Sequence, residues 1–222
     1  MRKHEPVITR SKLKDYEKLS RRKWREETGL FLVEGVRSVE SAVKAGAELE
    51  AILVTHEARS SERVSNILAA TEATVYETSA RELAKLTDVR TDQGIVAVAK
   101  RIVSDSLESV ADVESFLLLN AVQDPGNVGT LIRTAAWFGV DAVVSDNETA
   151  DFESAKVVRG AMGGLWDVRL VRVPSLLDVI DQLEAIDVRV HGAALSGQSI
   201  SDWRPARRGA LLLGSEARGL SG

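Results

Sequence analysis

The sequence predicts an α/β fold in two domains, with a mostly parallel sheet in the second. Three features of the 222 residues predict it. Short apolar runs alternate with stretches of helical period along most of the chain, the pattern of strands and covering helices. In the second half those runs are near-continuously apolar, as in strands buried on both faces. Between the two series, "RIVSDSLESVADVES" (101–115) is polar, acidic and poor in strand formers. The expected organisation is a smaller α/β/α domain over 1–103, a linker over 104–114 and a second domain over 115–222. An apolar content of 44% suffices for a core, and 28% charged residues is ordinary for a globular domain.

Strands of the first domain are expected at "LFLVEG" (30–35), "EAILVT" (50–55), "ATVYET" (73–78) and "GIVAVAK" (94–100). "VRSVESAVKAG" carries Val36, Val39 and Val43 at helical spacing and stops at Gly46, a residue suited to a helix C-terminus. "SARELAKLTD" opens with Ser79 and has Glu82 three residues on, the spacing of a capping box. Strands of the second domain fall at "SFLLLNAV", "DAVVSD", "WDVRLVRV", "VRVHGAAL" and "GALLLGSE", with the helix "SLLDVIDQLEAI" between the third and fourth. A further helix is expected from Asn127, after the turn Asp124-Pro125-Gly126. Its buried face would be Val128, Leu131, Ile132, Ala135 and Phe138. Gly129, Thr130, Arg133 and Trp137 would share another side, where the small Gly129 and Thr130 leave room above Arg133.

Composition excludes several chemistries. Without cysteine there is no disulfide, no thiol nucleophile and no Cys-ligated zinc site. His4, His56 and His191 are scattered without metal-ligand spacing, so no metal is expected. No apolar run approaches the ~20 residues needed to span a bilayer, and "MRKHEPVITRSK" lacks the apolar centre of a signal peptide. A cytoplasmic protein with no membrane partner is therefore expected. The net charge of −4 is uneven: residues 1–28 hold ten Lys/Arg against five Asp/Glu, or +5, leaving −9 for the rest. The densest part, "SRRKWREE", places Arg21, Arg22, Lys23 and Arg25 around Trp24. A basic arm on an acidic body suits contact with nucleic-acid phosphates. It suits equally a solvated helix face paired with Glu17, Glu26 and Glu27, and charge alone leaves both open.

Ligands of an open parallel sheet bind outside the carboxyl ends of its strands. Two glycine-containing loops lie at such ends, "QDPGNVG" (123–129) and "GSEARGLSG" (214–222). The first offers Asn127 and Arg133, the second Glu216. Neither matches a dinucleotide fingerprint or a phosphate-binding P-loop, so a dinucleotide or ATP site is not supported. Beside a helix N-terminus, Arg133 could hold an anion such as phosphate; it could also simply pair with Glu216 or Asp124, and spacing leaves both readings open.

Taken together, "NVGTLIRTAAWFG" and "LLLGSEARGLS" resemble the first and second signatures of the SpoU (TrmH) RNA 2′-O-ribose methyltransferases. Their order and separation fit, as does "SAKVVRGAMGG" between them. "FLVEGVRSVESAV" and "TDQGIVAVA" resemble the L30e-like RNA substrate-binding domain that many members carry. The resemblance implies a C-terminal SPOUT-type domain with a trefoil knot, S-adenosylmethionine as methyl donor, no metal, and a homodimer. It implies catalytic roles for Asn127, Arg133 and Glu216, and a donor pocket lined by Gly214 and, more loosely, by Ala194 and Leu195 at the end of the preceding strand. With RNA as substrate, the candidate RNA contacts are Arg133 and, from the charge of the arm, Arg21, Arg22, Lys23 and Arg25. A third signature, a Ser-Leu-Asn loop and helix, follows in such proteins; this sequence stops at Gly222 directly after "GLS", and we read that as truncation.

The function so implied is methylation of structured RNA on a ribose 2′-hydroxyl, ribosomal RNA before transfer RNA. An RNA-binding protein that keeps the fold without catalysis is the alternative. The resemblance casts the arginine as the base that takes the hydroxyl proton. A guanidinium is a poor base, so a phosphate-binding cation that stabilises developing alkoxide charge is the expected role.

Overall fold

The computed structural model describes residues 6–87, 93–110, 112–202, 204 and 206–220. Thr91 and Asp92 of "TDQGIVAVA" and Ser221 of the second signature lie outside them. In chain order the first elements are α1 (Arg10–Glu17), a 3₁₀ turn (Lys18–Ser20), α2 (Arg22–Thr28), β1 (Leu30–Glu34), α3 (Val36–Lys44) and β2 (Leu49–Thr55). Then come α4 (His56–Arg59), α5 (Glu62–Ala69), β3 (Thr74–Thr78), α6 (Ala80–Leu83) and β4 (Ile95–Lys100). The second half holds β5 (Val103–Ser104), a 3₁₀ turn (Leu107–Val110), β6 (Ser115–Leu119), α7 (Pro125–Trp137), β7 (Ala142–Ser145) and α8 (Ala155–Ala161). It ends with a 3₁₀ turn (Gly164–Trp166), β8 (Arg169–Arg172), α9 (Leu176–Ala185), β9 (Arg189–Gly192), a 3₁₀ turn (Ile200–Asp202) and β10 (Gly209–Leu213).

The first four expected strands form one sheet in the order β1-β4-β2-β3, antiparallel except for the β2/β3 pair. The capping box before α6 is complete: Ser79 accepts from the Glu82 backbone, and the Glu82 side chain accepts from Ser79. The second sheet, β5-β8-β7-β6-β10-β9, is parallel at every pairing.

Strand alternation distributes the core. On β6, Phe116 and Leu118 face a cluster capped by Leu176, Val179 and Leu183 of α9. Leu117 and Leu119 face the opposite way, towards Val128, Ile132 and Ala135 of α7 and Val157, Val158 and Ala161 of α8. This second cluster does not stop at the domain: it continues into Phe31, Val33, Ile52 and Val54 of the first sheet, and Phe31 stacks on Trp166 at 6.0 Å. The outer face of the first sheet is covered by Leu13 and Tyr16 of α1 and Leu83 of α6.

Parts of the segment 104–114, read from sequence as a linker, pack against the second sheet. Ser104 lies in β5 opposite Val171, and Val110 and Val113 are buried under the second sheet. Just before it, the buried Glu153 carboxylate accepts from the backbone N–H groups of Ile102 and Val103, at 3.0 and 3.4 Å. Burial raises its proton affinity above the usual carboxylate range.

Helix α7 departs from expectation in three ways. It begins at Pro125, with Asp124 as N-cap accepting from the Asn127 N–H, because proline suits the first helical position. Phe138, expected in the core, is 77% exposed and follows Trp137 at 85%. Gly129 is buried against α8, where a Cβ would fall 2.8 Å from Gly160 Cα, so it provides a close helix crossing and no space above Arg133.

Candidate active site

The parallel sheet reverses its winding between β6 and β10. From β6 the chain runs outward through β7 to β8, then crosses to β9 and β10 on the other side. Loops leaving the carboxyl ends on either side of that switch diverge and leave a crevice. Here the ends are held level by backbone bonds, Asn120 N–H to Leu213 O at 2.8 Å and Ala193 N–H to Leu212 O at 2.9 Å.

A cleft of about 880 Å³ lies there. It is walled by Asn127 and Thr130 of α7, Ala194 and Leu195 after β9, and Gly214 and Glu216 after β10. Five residues expected from sequence, Asn127, Glu216, Gly214, Ala194 and Leu195, thus meet around one space. The Asn127 amide donates to the Glu216 carboxylate and ties the two signatures together across the switch. Asp124, the helix cap, is held below the usual carboxylate range by the Asn127 backbone N–H and then by the Lys156 ammonium at 3.2 Å.

Strand β9 ends at Gly192, short of the expected span, so Ala194 and Leu195 stand in the following loop and Leu195 is fully exposed. After β10 the chain doubles back, with Gly219 N–H bonding to Ser215 O at 2.7 Å. Gly214 sits beneath this fold-back: a Cβ there would lie 2.2 Å from the Gly219 carbonyl oxygen. Only glycine fits that approach.

Arg133 does not line the cleft. It lies one turn beyond Thr130 on α7 and is exposed, and its Nη1 donates to the Met162 thioether at 3.0 Å. It has no carboxylate partner among the described residues; Asp124 is engaged by Lys156 and Glu216 by Asn127. The simple ion pair with Glu216 or Asp124 is not formed.

The basic arm divides. Arg22 and Lys23 pair along α2 with Glu26 and Glu27, at 2.7 and 3.7 Å, and Arg21 is exposed. Glu17 pairs instead with Lys85, at 3.8 Å. Arg25 corrects the expectation of an RNA contact: it is 4% exposed, bonded to Asp151 and to the Leu19 carbonyl at 2.8 Å. Helical spacing turns it towards the core while its neighbours face solvent.

Sequence reasoning missed the polar support below the cleft. Asp146, at the end of β7, accepts from the Asn120 side chain and the Ala121 N–H at 2.9 and 2.8 Å, and so shapes the turn from β6 into α7. Arg172 is buried and spans the carbonyls of Asp146, Thr149 and Ala150. The available signal was an arginine inside the apolar strand "RLVR", since a buried charge requires partners.

The profile of the SpoU rRNA Methylase family matches residues 114–222, and that of the MRM3-like substrate binding domain matches residues 10–97. The 23S rRNA (guanosine(2553)-2′-O)-methyltransferase RlmP of Bacillus subtilis is 36% identical over 94% of this chain and 81% of its own. The SpoU methyltransferase AviRb of Streptomyces viridochromogenes, solved with the cofactor AdoMet, superposes with a TM-score of 0.87 at 26% identity, over 96% of this chain and 84% of its own. An AdoMet-bound rRNA methyltransferase from Sinorhizobium meliloti superposes with a TM-score of 0.83 at 26% identity, over 98% and 83%. With two signatures joined across one cleft and a relative this similar over most of both lengths, the chain belongs to the SpoU rRNA methylase family.

Proposed function

We propose that this protein transfers a methyl group from S-adenosylmethionine to a ribose 2′-hydroxyl of structured RNA, ribosomal RNA ahead of transfer RNA. The observation that carries the reading is the switch-point cleft with an arginine beside it that no carboxylate neutralises among the described residues. The relatives support the substrate, since RlmP acts on a guanosine of 23S rRNA.

The cleft suits the donor. Its volume is that of a small-molecule site, with the folded-back loop at Gly214 on one side and Ala194 with Leu195 on the other. Those three residues would hold the donor, which when bound supplies an electrophilic methyl group. The chain's own groups do the rest. Asn127 fixes the Glu216 carboxylate, which keeps acceptor capacity for a ribose hydroxyl. Arg133 binds the neighbouring phosphate and stabilises negative charge on the 2′-oxygen as its proton passes to the Glu216 carboxylate. Holding the oxygen and the methyl group in line supplies much of the rate.

Residues 1–103 would read the RNA and 115–222 carry the chemistry, with Arg21, Arg22 and Lys23 on phosphates; the match of residues 10–97 to a substrate-binding profile supports this division. A knotted path for the second sheet and a homodimer belong to the same proposal and rest on the resemblance of the two signatures; a cytoplasmic location belongs to it too and rests on composition. The test is transfer of labelled methyl to unmodified ribosomal RNA by the natural full-length protein, beside Arg133→Ala. Label is expected on ribose 2′-oxygen, with turnover reduced about 10²–10³-fold in the variant and donor affinity near wild type. Full turnover in the variant would remove Arg133 from the mechanism, and no label on ribosomal or transfer RNA would sink the reading.

A further inference from the structure

A second depression, of about 610 Å³, opens where the start of α3 meets the end of α8. Gly35, Arg37, Ser38 and Arg63 come to it from the first domain, and Arg159 and Met162 from the second. Among the described residues its charged lining is three arginines and the buried Glu34. Glu34 holds Arg159 at 2.6 Å, and Arg63 is bonded to Glu40. The Arg37 side chain is exposed, with no polar partner among the described residues. Arg133 links the depression to the cleft. Met162, on the wall of the depression, accepts from Arg133, and Thr130, one turn earlier on α7, is on the wall of the cleft.

We propose that this depression seats the RNA backbone next to the nucleotide held in the cleft, with Arg37 as a phosphate-binding residue and Arg133 taking the phosphate between. The inference rests on the methyltransferase reading above and names where its substrate runs. Among the described residues the lining has no aromatic ring on which a base could stack. The contact is therefore with the backbone and independent of sequence, fixing the register of the strand and leaving base choice to other contacts. Because both domains contribute to the lining, a strand seated there bridges them.

The test uses Arg37→Ala and Arg37→Glu in the natural full-length protein, with thermal melts to verify the fold. RNA-fragment affinity is measured against salt, with the KM for RNA and donor affinity alongside. Arg37→Ala is expected to lower the salt slope by about one, equally for different RNA sequences. Arg37→Glu is expected to raise the KM about tenfold, with donor affinity as in wild type. A wild-type slope and KM in Arg37→Glu, while the wild type methylates RNA, would overturn this proposal and leave the function standing. A wild type that neither binds nor methylates RNA would overturn both.

Discussion

Replacing Arg25 separates its structural role from an RNA contact. Its guanidinium is 5% exposed and meets the Asp151 carboxylate, itself only 16% exposed, across the contact between α2 and the loop before α8. Removing one partner of a buried ion pair costs about 3–5 kcal/mol, because the other charge is left desolvated. The low end applies here. Asp151 keeps a bond from the Glu153 N–H at 2.9 Å and feels the nearby Arg172 charge. Arg25→Ala should therefore lose about 3 kcal/mol, a fall in Tm of about 6–12 °C for a chain of this length. RNA affinity of the folded fraction should be unchanged.

The pH dependence of that difference identifies the cause. Burial pushes the Asp151 carboxyl up, but the attraction and hydrogen bond of Arg25 outweigh it and hold it below the usual range. A group lowered on folding contributes stability that is present above its unfolded pKa and is lost as pH falls through the folded one. Without Arg25 burial is opposed only by the Glu153 N–H and the Arg172 charge, Asp151 protonates more readily, and the gap between variant and wild type should shrink as pH falls towards 4, the ordinary aspartate range. Denaturant melts at several pH values, with Asp151→Asn completing a double-mutant cycle, measure both effects. A loss below about 1 kcal/mol, the scale of an exposed pair, would refute the burial argument. Weakened RNA binding at full stability would restore Arg25 to the RNA-binding face.

Two glycines yield further predictions. Gly129→Ala puts a methyl group 2.8 Å from both Gly160 Cα and the Val157 carbonyl oxygen, so α7 and α8 must part. The overpacking costs about 1–3 kcal/mol against a helix-propensity gain of about 1 kcal/mol. A variant that melts above wild type would show that the crossing is looser than described. Gly214→Ala collides with the Gly219 carbonyl at 2.2 Å and forces the loop after β10 open. Turnover should fall about 10²-fold, the cost of an ångström-scale displacement, with donor affinity reduced in a calorimetric titration and Tm little changed. Unaltered donor affinity would place the donor elsewhere.

Local chemistry explains what was legible in the sequence. Strand cores such as "FLV", "ILV" and "LLL" admit one reading because a continuous apolar run must be covered on both faces. The Ser79–Glu82 box needs only a fixed spacing, and the cleft residues lie in loops that topology must bring together. What escaped depends on partners distant in the chain. Gly129 reads as spare room until α8 brings Gly160 against it. Arg25 reads as one of four surface cations until Asp151, 126 residues away, meets it. Phe138 has the right spacing for the core, yet the helix ends there and the side chain emerges into solvent. Arg172 reads as strand until the loop after β7 wraps its carbonyls around the guanidinium.

The arginines themselves bear on what Arg133 does. Outside residues 1–28 the protein carries a net −9, so carboxylates are plentiful, and several arginines find one while the buried Arg172 takes backbone carbonyls. Arg25 has Asp151, Arg159 has Glu34, Arg101 has Glu153 and Arg169 has Asp112. Arg133 instead rests on a thioether, a weak acceptor that orients the guanidinium without neutralising it. The carboxylates nearest in the motif are occupied, Asp124 by Lys156 and Glu216 by Asn127. That arrangement keeps a full positive charge beside the cleft, where an arriving phosphate meets no competing anion on it. Under the proposed mechanism a carboxylate brought onto Arg133 would neutralise the charge that the phosphate is to meet, and moving Asp124 there would also uncap α7.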